Sequence, residues 1–309
     1  MTDLLRVNLA ACALFIAGAQ ASPLLADCWT GDRESYASDE LVPAARKGSL
    51  AADVAAIGAA LKSDRKLAAI DGYRLQLNSF IGFPAGDDNS PNYAEVWVGF
   101  HGTDVWLAGC DIDQDAADAA PDAAVRITIN DMNAILAVAD APEDTALAPF
   151  PEPVSTSTNH GQPVYDQRLL LIAPSGQAVL KPYLLRDHLD EWKTRLQEIA
   201  DNGGGDFAKP ELDAINAHEK GEGAADLDRQ TAFTSEMKPE GAMWAYGLAS
   251  GDGTRPRVYL SPALKQAKPM TARFMTVSID LYKDDPALHQ ALTEWLHERD
   301  FTFLKERLK

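Results

Sequence analysis

Five aspartates fall within "CDIDQDAADAAPD", residues 110–122: Asp111, Asp113, Asp115, Asp118 and Asp122. Carboxylates at that density serve a small set of chemistries. They ligate a hard cation such as calcium, which takes roughly 6–8 oxygen ligands. They also support phosphoryl transfer, where an aspartate attacks phosphorus and another moves the proton beside a bound magnesium. Otherwise they form a solvated acidic turn whose use is its charge.

Residue by residue, the first two chemistries lose ground. Asp111, Asp113 and Asp115 match the first, third and fifth positions of the helix–loop–helix calcium loop, and Asp122 matches the last. The glycine that makes the sharp turn is Ala116, an apolar position is Asp118, and Pro121 stands where the exit helix should begin. The strand-like "DVWLAG" leading into "CDID" resembles the first motif of haloacid-dehalogenase-type phosphatases, with Asp111 as nucleophile and Asp113 as acid/base. The Thr or Val of that motif is Asp115 here, although "KDD" at 283–285 imitates the distal lysine and acids. The parallel strand–helix alternation that such a fold needs is not in the pattern. What remains is a strand end followed by an acidic loop, a surface for a partner or for loosely held calcium. No other cofactor is expected.

Nucleophilic chemistry fares no better. "VWVGFHG" (96–102) resembles the strand and His-Gly that open the oxyanion loop of α/β-hydrolases, but no Gly-x-Ser-x-Gly elbow occurs in the chain. His101 reads as a hairpin-turn residue, and Ser175 and Ser250 sit in turn-like surroundings. "SDRK" (63–66) matches Ser-x-x-Lys at the end of a helix, where Lys66 is expected in solvent. The six histidines show no His-Glu-x-x-His or paired zinc spacing. His188, His289 and His297 fall on amphipathic helices, as surface or boundary residues. "GGGD" and "SGDG" lack the Lys-Ser/Thr of a phosphate loop.

Composition bounds the compartment and the partners. The chain has 309 residues, 46% hydrophobic and 24% charged, with 28 Lys and Arg against 46 Asp and Glu, a net charge of −18. Phosphate-rich partners, nucleic acid and anionic membrane alike, would be repelled, whereas a basic protein would be attracted. Residues 1–21 read as a secretory signal: Arg6, the apolar "LAACALFIAG" (9–18), then "AQA" before Ser22. No other apolar run is long enough to span a membrane. A periplasmic or secreted location follows. Removal of Cys12 with the signal leaves Cys28 and Cys110, a pair expected to form one disulfide. A loop that long gains about 4–5 kcal/mol in the chain-entropy account.

The elements that must position these residues are read from periodicity. "SLAADVAAIGAALK" (49–62), capped by Ser49, predicts a helix with Leu50, Val54, Ile57 and Leu61 on one face. The period then drops to two in "YRLQLNSFIGF" (73–83), where Tyr73, Leu75, Leu77, Ile81 and Phe83 share a face, and in "YAEVWVGF" (93–100). "DVWLAGC" (104–110) and "VRITI" (125–129) continue the meander, and "NAILAVA" (133–139) fits strand or helix. Five prolines among Ser, Thr, Asp and Glu mark 140–163 as a linker or long loop between domains 22–139 and 164–309.

Beyond it, "YDQRLLLIA" and "AVLKPYLL" predict a hairpin about "PSGQ", with Gly176 at positive φ. "RDHLDEWKTRLQEIADNGGGD" (186–206) predicts a helix with Leu189, Trp192, Leu196 and Ile199 buried, stopped by its glycines. A weaker helix starts at Pro210. "MWAYGLAS", "RVYLS" and "RFMTVSIDLYK" read as strands, and "DDPALHQALTEWLHERD" as a closing helix with Asp285 as N-cap, Pro286 first and a stripe of Leu288, Leu292, Trp295 and Leu296. The expectation is an α+β fold of antiparallel meanders packed with amphipathic helices, in two subdomains.

For function, the sequence favours an exported, non-catalytic acidic binding protein, such as an immunity or inhibitor protein that occupies a basic partner. The alternatives are a secreted hydrolase or metal-dependent enzyme with a site of scattered Asp, His and Ser residues, and a structural envelope protein.

Overall fold

The computed structural model describes residues 30–36, 44–82, 93–102, 121–141, 149–231, 255–265 and 271–308. The signal segment, Cys28, Cys110, the strand expected at 104–110, Asp111, Asp113, Asp115, Asp118, Ser250 and the strand expected at "MWAYGLAS" lie outside the described residues.

The fold is α+β. Its main sheet has eight strands: β1 (Thr30–Tyr36), β2 (Tyr73–Gly82), β3 (Tyr93–Gly102), β4 (Ala123–Ile129), β6 (Ser155–Asn159), β7 (Gln162–Tyr165), β8 (Leu169–Ile172) and β11 (Met275–Leu281). Their spatial order is β1-β2-β3-β4-β11-β8-β7-β6, antiparallel throughout except for the parallel β1–β2 pair. β5 (Phe150–Pro151), β10 (Arg257–Leu260) and β9 (Leu180–Pro182) form a second, three-stranded sheet in that order. β11 therefore lies between a strand from the first half and one from the second, and a single sheet runs across both. The Pro-rich stretch 140–163 supplies β5, β6 and the start of β7.

Alternation explains the layering. On β3, Ala94, Val96, Val98 and Phe100 point to one face, where α1 (Ala44–Lys62) and α7 (Pro286–Glu298) cover them. Leu50, Val54, Ile57 and Leu61 of α1 are buried there, as are Leu288, Leu292, Trp295 and Leu296 of α7. Asp285 accepts from the backbone N–H of Ala287 and Leu288 as the N-cap of α7, with Pro286 in its first turn. α1 begins at Ala44, ahead of Ser49, so that serine is a helix-interior residue and not the cap.

On the other face of β8 and β11 lie α3 (Asn133–Ala139) and the three-stranded sheet, closing a second core of Ile135, Leu136, Phe150, Leu169, Val258 and Phe274. Thr128 and Thr276, opposite one another on β4 and β11, bring their hydroxyls to 2.7 Å. Beside them Arg126 donates to Glu95 on β3, Asp280 on β11 and the Tyr282 hydroxyl, with its guanidinium over the Trp97 ring. This network ties the three central strands together on their polar side.

Some expectations change. The hairpin about "PSGQ" does not form: β8 pairs with β7 and β11, while β9 leaves for the small sheet and pairs with β10. Gly176 does take a positive φ, of 76°. The helix at 186–206 is α4 (Leu185–Ile199), and its glycines do stop it, at a kink where Gly203 takes a φ of 94°. The kink, at Ala200–Gly204, leads straight into a further helix, α5 (Gly205–Lys220), and not into a loop. Pro210 thus lies inside α5 and does not begin it.

Candidate interaction site: a helical hairpin and the cavity at its root

Asp122, the last carboxylate of the acidic series, is no open ligand. Its carboxylate lies 2.6 Å from Lys283 Nζ, its side chain is 14% exposed, and its carbonyl accepts from the N–H groups of Tyr282 and Lys283. Lys283 and Asp285, read as echoes of a phosphatase motif, are thus drawn into an ion pair and a helix cap. His101 is not in a turn. It lies in β3, is buried, and its Nε2 sits 3.2 Å from Gln76 Oε1. Burial lowers its pKa, against the opposing pull of Asp122, and so favours the neutral imidazole. Ser63 donates to the Ala60 carbonyl while Lys66 pairs with Glu298, so the Ser-x-x-Lys pattern does not assemble. Among the described residues, no group of three or more His, Cys, Asp or Glu is placed to hold a metal ion.

Residues 185–230 bring functional groups together. α4 and α5 fold back on one another over their own core of Leu185, Leu189, Leu196, Ala208 and Ile215, separate from the two clusters of the body. The hairpin is stapled at its root: the Leu184 N–H donates to Asp187 Oδ2 at 3.0 Å, and Leu185 and Arg186 N–H donate to the carbonyls of Arg229 and Leu227. Between 185 and 230 the sequence holds twelve Asp and Glu against six Lys and Arg.

At the turn, Ile199 is 40% and Phe207 is 47% exposed. Ile199, expected in the buried stripe, therefore faces solvent instead. Exposed Glu198, Asp201 and Asp206 stand beside this apolar pair in the chain.

At the root, a cavity of about 300 Å³ opens between α4 and the small sheet. Tyr183, His188 and Trp192 form its aromatic wall, with edge-to-face contacts at 6.0 Å between Tyr183 and His188 and 6.4 Å between His188 and Trp192. His188 is 7% exposed, a buried residue and not the surface or boundary residue that its helix position suggested. The Tyr183 hydroxyl donates to Glu191 Oε2 at 2.7 Å, and Arg195 donates to Glu191 Oε1 at 2.6 Å. Burial, then the hydrogen bond to Glu191 and its charge, raise the Tyr183 pKa, so the phenol stays protonated as a donor. Arg257 enters from β10, its Nη1 3.4 Å from the Pro149 carbonyl oxygen. Among the described residues, the arrangement presents rings fixed against one another and two guanidiniums, groups that can hold a molecule by stacking and hydrogen bonding.

One sequence signal marks this cavity. His188, Glu191, Trp192 and Arg195 recur at helical three- and four-residue spacing, a second stripe beside the leucine stripe of α4. Arg257, from a distant strand, carries no such signal. Comparison with protein-family models, with curated proteins and with solved structures gives no match for this chain.

Proposed function

We propose that this chain is an exported, non-catalytic binding protein of the immunity or inhibitor kind, and that the tip of the α4–α5 hairpin engages a basic protein partner. The observation that carries the reading is the exposed pair Ile199 and Phe207 flanking one turn beside the carboxylates of Glu198, Asp201 and Asp206. A lone exposed apolar side chain is ordinary. An apolar pair with a charged rim has the anatomy of an interface centre, where buried aromatic anchors supply affinity and the rim selects the partner. The negative charge of the hairpin and of the whole chain speeds encounter with a basic protein and repels acidic ones.

The test is kinetic. With a partner captured on the immobilised wild type, Phe207→Ser should raise the dissociation rate by about tenfold or more, as expected for an interface anchor. The double charge reversal Asp201→Lys, Asp206→Lys should instead slow association and flatten its dependence on salt. Unchanged rates in both variants would remove the hairpin from the interface.

Export rests on the apolar run and the small-residue site before Ser22. The mature protein should begin at Ser22 and gain two free thiols only on reduction, measured by intact mass with and without a reductant. A mature chain that keeps residues 1–21 would contradict it.

A further inference from the structure

At one end of the main sheet, β6 lies against the last turn of α7. Asn159 of β6 is buried, and its Nδ2 donates to the carbonyls of Leu296, His297 and Arg299 at 2.7, 3.0 and 2.9 Å. This amide closes the end of α7 and ties it to the strand. Ser157 stands two residues before Asn159, so alternation puts both on the same face of β6. His297 belongs to the turn that Asn159 holds. The clamp thus sets two further side chains against each other, and Ser157 Oγ lies 3.3 Å from His297 Nε2. Both residues are partly exposed, so the pair is reached from solvent. A neutral ring with its proton on Nδ1 accepts from the hydroxyl at Nε2. The partial negative charge at the end of α7 favours the imidazolium that forms when the ring takes that proton.

We propose that Ser157 is an acyl-accepting nucleophile with His297 as its base, and that its reactant is an ester with a good leaving group. A serine hydroxyl is a weak nucleophile by itself and gains strength from a base within hydrogen-bond reach. Ser157 Oγ attacks the carbonyl carbon while its proton passes to His297 Nε2. The Oγ–C bond forms, and the bond from that carbon to the leaving oxygen breaks. The leaving oxygen departs with the bonding pair, and His297 returns its proton to that oxygen or to water. The step ends at an acyl-serine, so it adds a covalent modification site to a non-catalytic binding protein. It uses β6 and α7, not the elements of the interface proposed at the hairpin tip.

Incubation of the full chain with p-nitrophenyl acetate tests the assignment. One equivalent of p-nitrophenol should be released in a burst, and peptide mapping should find the acetyl group on Ser157. Ser157→Ala, which removes only a hydroxyl, should lose that burst. His297→Gln should slow acetylation of Ser157 by about 100-fold or more, the scale of general-base assistance. The wild-type burst should also be slower in deuterium oxide than in water. That is the mark of proton transfer during attack, which a merely structural histidine would not give. Phe207→Ser should leave the burst unchanged, which keeps this test separate from the hairpin tip. Absence of acetyl from Ser157 would overturn the proposal. So would a rate that His297→Gln leaves unaltered, or equal rates in the two solvents.

Discussion

Asp64 is the residue on which the helical layer turns. It is 4% exposed, and its Oδ1 accepts from the N–H groups of Lys66 and Leu67, capping the short helix α2 (Arg65–Ala68). Its Oδ2 accepts from Trp295 Nε1 at 2.9 Å and pairs with Arg299, whose guanidinium also lies over the rings of Trp295 and Phe303. Removing the carboxylate would strand a half-buried cation and a buried indole N–H together. Asp64→Ala should therefore cost about 3–5 kcal/mol, the range for breaking a buried pair. Urea unfolding should show a lowered midpoint with an unchanged slope.

Tyr73 gives the pH-dependent counterpart. Its hydroxyl donates to Asp285, and burial, that bond, and the charges of Asp285 and Asp122 push its pKa from 10.0 up to about 12. The folded state then holds the proton more tightly than the unfolded chain. The stability from this bond is complete below pH 10 and is lost as pH rises from 10 to about 12. The stability gap between wild type and Tyr73→Phe should narrow across that window in denaturant titrations. A gap that widened there would reverse the sign of the linkage.

At the scale of elements, the glycines of the hairpin turn are structural. Gly203 has φ 94°, a region costly to any residue with a Cβ. A Cβ at Gly204 would come within 2.6 Å of Ile199 Cγ2 and 3.0 Å of the Ile199 carbonyl oxygen. Gly203→Ala should destabilise α4–α5 by about 1–2 kcal/mol, the usual cost of left-handed backbone for an L-residue. The core of the hairpin is separate from that of the body. Hydrogen exchange should therefore accelerate in 185–230 and stay unchanged in β3, β4 and β11.

Helical stripes such as Leu50–Leu61 and Leu288–Leu296 were legible in the sequence because local spacing fixes them. The alternation of Met275, Val277 and Ile279 was legible for the same reason. Partner choice was not legible. "LLLI" and "LKP" look like the arms of a hairpin, yet each pairs with a strand from much further along the chain. The exposure of Ile199 escaped the pattern too, because periodicity says which residues share a face and not where the covering layer ends.

Over the whole molecule, the antiparallel character and the packing helices could be read in advance, while the placement of β11 between β4 and β8 could not. Order in a sheet is set by long-range pairing, which no local window contains. The candidate chemistry moved with it. The carboxylate series ends in Asp122, an ion-paired residue at the edge of β4, and the apolar pair of the hairpin tip lies far from it in the sequence. No described helix is long and apolar enough to cross a membrane. The charge of −18 is then the property a partner would meet first, and the tip of α4–α5 the place where apolar contact could follow. The most direct measurement is photo-crosslinking from a benzophenone amino acid at position 207, with position 282 as the exposed control, in extracts of the producing cell. The account predicts a basic protein crosslinked from 207 and not from 282, with a yield that falls as salt rises. No crosslink from 207, an acidic partner, or equal yields at the two positions would contradict it.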